Sequence, residues 1–191
     1  MNPDDAVGIL SESGAMLEGH FELRSGLHSD RFFQFANVLR YPEHAGALCG
    51  ALASLMRSGM GDEFDVDTVI APALGGIVVG HELARRLGTK SIFAEKQDDA
   101  LVLRRFDIQP GEKCVVAEDV ITRGGRVRET IDIVLERGGE VVAVGVLLDR
   151  SGGKARFDFP TFSLLKLEPV TYDPDECPLC AQGLPLVHPG S

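Results

Sequence analysis

The chain has 191 residues, of which 44% are hydrophobic and 25% are charged, and its formal net charge is -10. These values describe a globular protein with a substantial core, and they argue against non-specific binding to nucleic acid or to an anionic membrane. No apolar run approaches the roughly 20 residues that span a bilayer. Residues 1–10 lack the basic start and apolar stretch of a signal peptide, so we expect a cytoplasmic protein.

Strand and helix patterns alternate through the middle of the chain. Apolar residues at helical spacing predict helices at 43–57, 75–88 and 125–137. Short runs rich in β-branched residues predict buried strands at 67–73, 90–94, 113–120, 140–149 and 162–167, and 100–106 is a candidate hairpin arm. This order predicts right-handed crossovers and an α/β fold whose mostly parallel sheet is flanked by helices.

The two ends of the chain fall outside this alternation. We therefore predict a single domain, 1–191, whose core is about 65–150. Residues 1–40 and about 150–191 are predicted to form a smaller cap, called the hood below, over one end of the sheet. Because ligands bind at the carboxyl ends of parallel strands, three glycine-bearing strand ends are of interest. They are APALGG at 71–76, EDVITRGG at 118–125 and LDRSGG at 148–153.

The second of these strand ends has the features of a phosphate site. Gly124 and Gly125 carry no side chains, so backbone N–H groups can approach a ligand closely. The following helix adds free N–H groups and a partial positive charge at its N-terminus. Thr122 adds a hydroxyl. Residues 122–126 are therefore predicted to bind a phosphate group.

Two adjacent acids, Glu118 and Asp119, precede this loop. They would repel a phosphate but suit the vicinal hydroxyls of a ribose, because one carboxylate accepts two O–H bonds. They could also stabilise positive charge that develops on a sugar ring. The alternative, in which the acids cap the next helix, requires only one acid and leaves the glycines unexplained.

The four cysteines include one local pair, Cys177 and Cys180, in the sequence CPLC. One such pair supplies two of the four ligands that a structural zinc site needs, and no second pair or histidine pair stands at a matching spacing. A tight turn with reduced thiols is the simplest interpretation. A zinc ion shared between subunits and a redox pair remain open.

The segment VVAEDVITRGG, 115–125, resembles the phosphoribosyl-diphosphate (PRPP) motif of the type I phosphoribosyltransferases. Three further segments are similar to the orotate phosphoribosyltransferases: FELRSGLHSDRFFQF at 21–35, APALGGI at 71–77 and LLDRSGG at 147–153. The tail CPLCAQGLPLVHPGS resembles the C-terminus of one bacterial branch of that family. The resemblance implies the type I phosphoribosyltransferase fold and the conversion of orotate and PRPP to orotidine 5'-monophosphate and diphosphate, in pyrimidine biosynthesis.

The resemblance also implies the site residues. Asp119, Glu118 and Lys96 would be catalytic. PRPP would contact Glu118, Asp119, Val120, Ile121, Thr122, Arg123, Gly124, Gly125, Arg126, Lys96, Gly75 and Gly76. Orotate would contact Thr122, Arg150, Phe32, Phe33 and Arg24, with Arg150 on its carboxylate. Mg²⁺ would bind mainly through PRPP rather than through protein ligands. The expected partner is a second copy of the chain in a homodimer.

The match is incomplete in the segment EKQDDALVLRRFD, 95–107, which is shorter than the catalytic loop of the best-known family members and lacks their later Lys and His. Arg104 and Arg105 could supply the missing charge or could be a solvated pair. Arg123 and Arg126 could bind phosphate or face solvent, and His20 and His28 are interpreted as structural or surface residues. A phosphoribosyltransferase for another base, and a non-catalytic PRPP-sensing regulator, are the alternatives.

Overall fold

The computed structural model describes residues 1–23, 25–62, 64–98 and 100–189. The helices are α1 (Pro3–Glu12), α2 (Ala36–Leu39), α3 (Pro42–Met60), α4 (Gly75–Leu87), α5 (Gly125–Glu136) and α6 (Pro178–Ala181). The strands are β1 (Met16–Glu22), β2 (His28–Phe33), β3 (Thr68–Pro72), β4 (Lys90–Gln97), β5 (Ala100–Val102), β6 (Lys113–Ile121), β7 (Glu140–Asp149), β8 (Thr161–Lys166) and β9 (Thr171–Tyr172).

Strands β3 to β8 form a six-stranded sheet in the order β5–β4–β3–β6–β7–β8. Every neighbouring pair is parallel except β4 and β5, which form an antiparallel hairpin at one edge. The predicted mostly parallel α/β fold is therefore confirmed. The carboxyl ends of β3, β6 and β7 are neighbours, so the three glycine-bearing strand ends lie along the same edge of the sheet.

The predicted central elements form, with small shifts at their ends. Strand β7 spans the predicted 140–149, and α4 ends one residue before Gly88, whose φ of 81° places it in the left-handed conformation that favours glycine at a helix end. Strand β4 runs three residues beyond its predicted end, to Gln97. The reason is its pairing with β5, in which Gln97 lies opposite Ala100.

Apolar side chains cover both faces of this sheet. Helices α3 and α4 bury Leu48, Leu52, Met56 and Leu83 on one face. Helix α5 buries Val127, Ile131 and Val134 on the other, against Ile70, Val116 and Val144 of the strands. Full burial of one such side chain is worth about 1.5–3 kcal/mol, so the two layers hold the strand ends in fixed positions.

The hood contains a second, antiparallel sheet in the order β1–β2–β9. The chain after α6 returns along β1, where Val187 forms a bridge with Phe21. The backbone N–H of Val187 donates to the carbonyl of His20 at 2.9 Å, and that of Glu22 donates to Val187 at 3.0 Å. Both ends of the chain therefore contribute to the hood. None of the described helices is long and apolar enough to cross a bilayer.

Candidate active site

The acid pair lies at the carboxyl end of β6. Glu118 is 7% exposed, and burial, together with the charge of the neighbouring Asp119, raises the pKa of its carboxyl to about 9. Its Oε1 accepts a hydrogen bond from the backbone N–H of Asp119 at 3.0 Å. Asp119 is half-buried, and its Oδ1 accepts from the backbone N–H of Val120 at 2.8 Å. The site thus holds a buried acid that is neutral at neutral pH beside a more accessible one.

The loop between β6 and α5 contains a left-handed glycine directly before the helix. Gly124 has a φ of 76°, and a Cβ there would stand 2.9 Å from Cζ of Phe157, so this position requires glycine. The first backbone N–H groups of α5 follow directly. A cavity of about 280 Å³ lies at this loop, and it is lined by Glu118, Val120, Ile121, Thr122, Gly124, Gly125, Arg126, Val127 and Glu129.

The N-terminus of α4 approaches the acid pair from the neighbouring strand. A Cβ at Gly75 would collide with Oδ2 of Asp119, and a Cβ at Gly76 would stand 3.0 Å from Oε1 of Glu118. The peptide bond between Ala73 and Leu74, just before this helix, is cis. A Cβ at either position would crowd or displace an acid side chain, because the backbone passes so close to the carboxylates. The structure therefore brings Gly75 and Gly76 to the acids.

Arg150 lies at the carboxyl end of β7, where its backbone N–H donates to the carbonyl of Ile121 at 2.8 Å. Its guanidinium stacks over the ring of Phe33, with Cζ 4.9 Å from the ring centroid. Burial lowers the pKa of Arg150, but a guanidinium stays charged in proteins. Among the described residues, neither Nε of Arg150 nor Oγ of Ser151 has a hydrogen-bond partner. Arg150 is half-buried, and because a partly desolvated, incompletely paired cation is costly, this arrangement favours an anionic ligand.

A second cavity of about 410 Å³ lies beside Arg150. It is lined by Thr122, Arg123, Arg150, Ser151, Lys154, Glu168, Pro169 and Thr171. Thr122 lines both cavities, so the phosphate end and the Arg150 end are adjacent. Lys154, Glu168, Pro169 and Thr171 were not among the predicted site residues, because no motif marks these positions, and Ser151 lies within LLDRSGG but was not assigned a contact. Lys154 and Glu168 form an exposed ion pair at 3.7 Å.

Phe32, which was also predicted to contact orotate, does not meet Arg150 in this way. Successive side chains of a strand point to opposite faces, and Phe32 packs against Phe21 with ring centroids 5.9 Å apart. Phe32 lines a different cavity of about 480 Å³, together with Glu22, Leu23, Ser25, Gly26, His188 and Pro189. The structure therefore separates Phe32 from the Arg150 end of the site. Arg24 lies outside the described residues.

Lys96 lies near the carboxyl end of β4 and is exposed. Ala94 pairs with Pro72, the last residue of β3, so Lys96 stands two positions further along the same edge of the sheet. It faces Leu101 in the β4–β5 hairpin. Arg105, one of the two candidates for extra positive charge, is paired with Glu95 of the same hairpin, with Nη2 donating at 3.3 Å.

A family model and individual relatives both relate this chain to the phosphoribosyltransferases. The model of the phosphoribosyl transferase domain matches residues 37–179. The orotate phosphoribosyltransferase of Desulforamulus reducens is 52% identical over 100% of this chain and 98% of that protein. That of Thermotoga petrophila is 47% identical over 96% of each chain.

Solved structures of the same family share the fold. The orotate phosphoribosyltransferase of Aeropyrum pernix superposes with a TM-score of 0.71 at 24% identity, covering 84% of this chain and 92% of that one. The adenine phosphoribosyltransferase of Thermoanaerobacter pseudethanolicus superposes with a TM-score of 0.62 at 21% identity, over 72% and 88%. Since these two enzymes are named for different bases, the fold by itself does not identify the base.

Proposed function

This chain belongs to the phosphoribosyltransferase family, among the orotate phosphoribosyltransferases, and we propose that it transfers the phosphoribosyl group of PRPP to N1 of orotate. The products are orotidine 5'-monophosphate and diphosphate, and the reaction belongs to pyrimidine (UMP) biosynthesis. One observation carries the proposal beyond family membership. A glycine-containing loop with an acid pair lies next to a cavity that is lined by a half-buried, incompletely paired arginine, and Thr122 lines both cavities.

The phosphate loop and the acid pair fit the ribose 5-phosphate part of PRPP. Backbone N–H groups of residues 122–126 would hold the 5-phosphate, with Thr122 as an additional donor. Glu118 and Asp119 would hold the ribose hydroxyls. Because burial keeps Glu118 neutral at neutral pH, it can donate a hydrogen bond to a hydroxyl, and the site carries one negative charge fewer beside a phosphorylated substrate. This arrangement reduces the repulsion that two ionised carboxylates would cause.

The diphosphate of PRPP would lie at the N-terminus of α4, where Gly75 and Gly76 leave the backbone accessible beside the acids. Lys96, on the same edge of the sheet, would offset the negative charge of the leaving group. Mg²⁺ fits this donor set, because magnesium is commonly held by one or two carboxylates together with substrate phosphates and water. The ion would be held mainly through PRPP oxygens, with the Asp119 carboxylate available to it, and it would supply charge neutralisation of the diphosphate.

Arg150 would bind the orotate carboxylate through its guanidinium fork, and Phe33 beneath it would hold the guanidinium in place. This pairing places the pyrimidine between Arg150 and the ribose site, so that N1 can face the anomeric carbon. The reaction forms the N1–C1 bond, breaks the bond between C1 and the diphosphate oxygen, and releases the N1 proton, which the departing diphosphate can accept. The protein aligns the two substrates, stabilises positive charge on the ribose through Asp119, and limits access of water.

We also propose that the enzyme acts in the cytoplasm as a homodimer. All four cysteines are unbridged, which suits a reducing compartment. Leu74, just before α4, is 83% exposed and Val78 of α4 is 39% exposed, and such apolar residues are suited to contact a second chain. Sedimentation at working concentration measures this, and a monomer would contradict the dimer.

The decisive experiment follows the loss of orotate absorbance with purified protein, PRPP and Mg²⁺. We expect consumption that requires all three components and yields stoichiometric diphosphate. If orotate is not consumed while PRPP still binds by calorimetry, the orotate assignment is wrong, and a panel of purine and pyrimidine bases identifies the substrate. If neither substrate binds, the site itself has been assigned wrongly.

A further inference from the structure

Four side chains outside the active site converge on one point in the hood. They are His20 of β1, His28 at the start of β2, and the two cysteines of CPLC, Cys177 and Cys180. One potential ligand atom from each lies within 4.8 Å of the other three. The histidines and Cys177 are 3–5% exposed, whereas Cys180 is exposed at the surface. The sequence interpretation counted only the cysteine pair, and the structure supplies the two missing ligands from a segment more than 150 residues away.

The distances match those of a tetrahedral zinc site. Nε2 of His20 lies 3.0 Å from Nδ1 of His28, 3.6 Å from Sγ of Cys177 and 3.7 Å from Sγ of Cys180. Sγ of Cys180 lies 3.3 Å from Nδ1 of His28. Zinc bonds of ordinary length would place two nitrogens about 3.3 Å apart and a nitrogen and a sulfur about 3.6 Å apart. Small movements would therefore seat an ion among the four atoms.

The hydrogen bonds around His20 prepare it as a ligand. Its Nδ1 lies 2.9 Å from the backbone carbonyl oxygen of Leu184, which can only accept a hydrogen bond. His20 therefore carries its proton on Nδ1 and turns the lone pair of Nε2 toward the cluster. A backbone carbonyl that fixes the tautomer in this way is the usual outer partner of a metal-bound histidine.

A hydrogen bond between the two rings would account for one of these contacts. It would not account for the convergence of both sulfurs on Nε2 of His20, because thiols are weak hydrogen-bonding groups. Two thiolates and two imidazoles are a ligand set that zinc prefers, and four protein ligands leave no open position for chemistry. We propose that His20, His28, Cys177 and Cys180 bind one zinc ion within a single chain, as a structural site.

The position of the site suggests what the ion does. His20 and His28 flank the turn of the β1–β2 hairpin, and β2 continues to Phe33, which lies under Arg150. Cys177 and Cys180 belong to the C-terminal segment that returns along β1. The ion would cross-link these two parts of the hood and hold the hairpin on which the orotate end of the site rests. Zinc binding of this kind contributes directly to the stability of the folded state.

Metal analysis of the full-length protein tests the proposal. The protein is purified without a histidine tag under reducing conditions and dialysed, and its zinc content is measured by mass spectrometry. We expect one zinc per chain in the parent and nearly none in Cys180→Ser and His28→Gln. His81→Gln removes an exposed histidine elsewhere, and Cys49→Ala removes a cysteine outside the cluster. Both controls are expected to keep the metal, and the two ligand variants are expected to melt at a lower temperature.

Cobalt provides a readout that does not depend on variants that fold poorly. Metal-free parent protein, kept reduced, is titrated with Co²⁺. We expect the absorption of tetrahedral cobalt with a thiolate charge-transfer band, saturating at one equivalent per chain and lost on adding zinc. The absence of both bound zinc and this spectrum would overturn the proposal, as would a Cys177–Cys180 disulfide in the protein as purified. One metal per two chains would instead mean a site shared between subunits, which would also overturn it.

Discussion

Replacing Arg150 by alanine tests the end of the site that selects the base. Arg150 is half-buried, its guanidinium stacks on Phe33, and its buried Nε is unsatisfied among the described residues. The substitution removes the only partner that we assign to the orotate carboxylate. It leaves the phosphate loop and the acid pair untouched, so its effect should fall on one substrate.

The expected magnitude follows from the burial of the pair. Truncating one partner of a buried charge pair costs about 2–5 kcal/mol. At about 1.4 kcal/mol for each factor of ten, this loss raises the orotate KM by about 30-fold to about 4,000-fold. The PRPP KM should stay close to that of the parent. Arg150→Lys keeps the charge but loses the planar fork, so its orotate KM should lie between those of the parent and Arg150→Ala.

Initial rates with each substrate varied in turn measure both effects. Uracil, which has the same ring without the carboxylate, provides an internal reference: the preference for orotate over uracil should fall in Arg150→Ala. Arg156→Ala, which removes an exposed arginine six residues along the chain, is the matched control. Equal increases in the two KM values, or an unchanged preference over uracil, would refute the assignment of Arg150 to the carboxylate.

Three further substitutions test the ribose and diphosphate end. Asp119→Asn keeps the shape of the side chain and removes its charge, so we expect kcat to fall by about 100-fold or more; near-parental steady-state kinetics would refute the role of this acid. Gly75→Ala puts a Cβ against Oδ2 of Asp119, so kcat/KM for PRPP should fall in a folded protein. Gly8→Ala, where a Cβ would meet nothing within 4 Å, is the control, and equal activity of these two glycine variants would contradict the argument. Burial raises the pKa of Glu118 from 4.5 to about 9. The contribution of this carboxyl to stability is therefore fully present below its pKa in the unfolded chain, and it is lost as pH rises toward its pKa in the folded protein. Glu118→Gln has no carboxyl to titrate and should not show this pH-dependent loss. Between pH 4.5 and about 9, the free energy of unfolding of the variant minus that of the parent should rise by up to about 1.4 kcal/mol per pH unit. Denaturant titrations across the window measure this, and a difference independent of pH would show that Glu118 titrates normally.

The main sheet and the residues at its strand ends could be predicted because their signals are local. Each motif follows a buried strand directly, and glycines mark where the backbone must turn or approach a ligand. The order of β3, β6 and β7 in the sheet then brings Gly75, Asp119 and Arg150 to one edge. The motifs are far apart in the sequence, but parallel pairing makes their positions predictable.

The secondary structure of the hood was not predicted, and its strands show why. The pairing of β1 with β2 is irregular between Glu18 and Phe21, which interrupts the alternation of polar and apolar residues that identifies a strand. Helix α1 did carry a recognisable signal. Asn2 and Asp5 form a reciprocal capping box at its start, which is a sequence signal for the beginning of a helix.

The cluster of His20, His28, Cys177 and Cys180 could not be predicted from local sequence patterns, for a different reason. Metal-binding motifs are recognised by ligands that lie close together in the sequence. The two histidines and the two cysteines of this cluster meet only because the C-terminal segment folds back along β1. The same limit explains why Phe32 and Phe33 were assigned together. They are adjacent in the sequence, but they face opposite sides of β2, and only Phe33 lies under Arg150.

The ionisation of the acid pair shows what burial adds to a motif. From the sequence, Glu118 and Asp119 are expected to carry two negative charges beside a predicted phosphate site. Two ionised carboxylates in that position would oppose binding of PRPP. In the folded protein, desolvation holds a proton on Glu118, so the ribose end offers a donor as well as acceptors and carries less negative charge. For this group alone, the raised pKa means that its contribution to the stability of the free protein is smaller at neutral pH than at acidic pH. A Cβ at Gly76 would stand 3.0 Å from Oε1 of Glu118, so part of the burial that raises the pKa comes from α4, and the neighbours of Glu118 in the sequence do not reveal it.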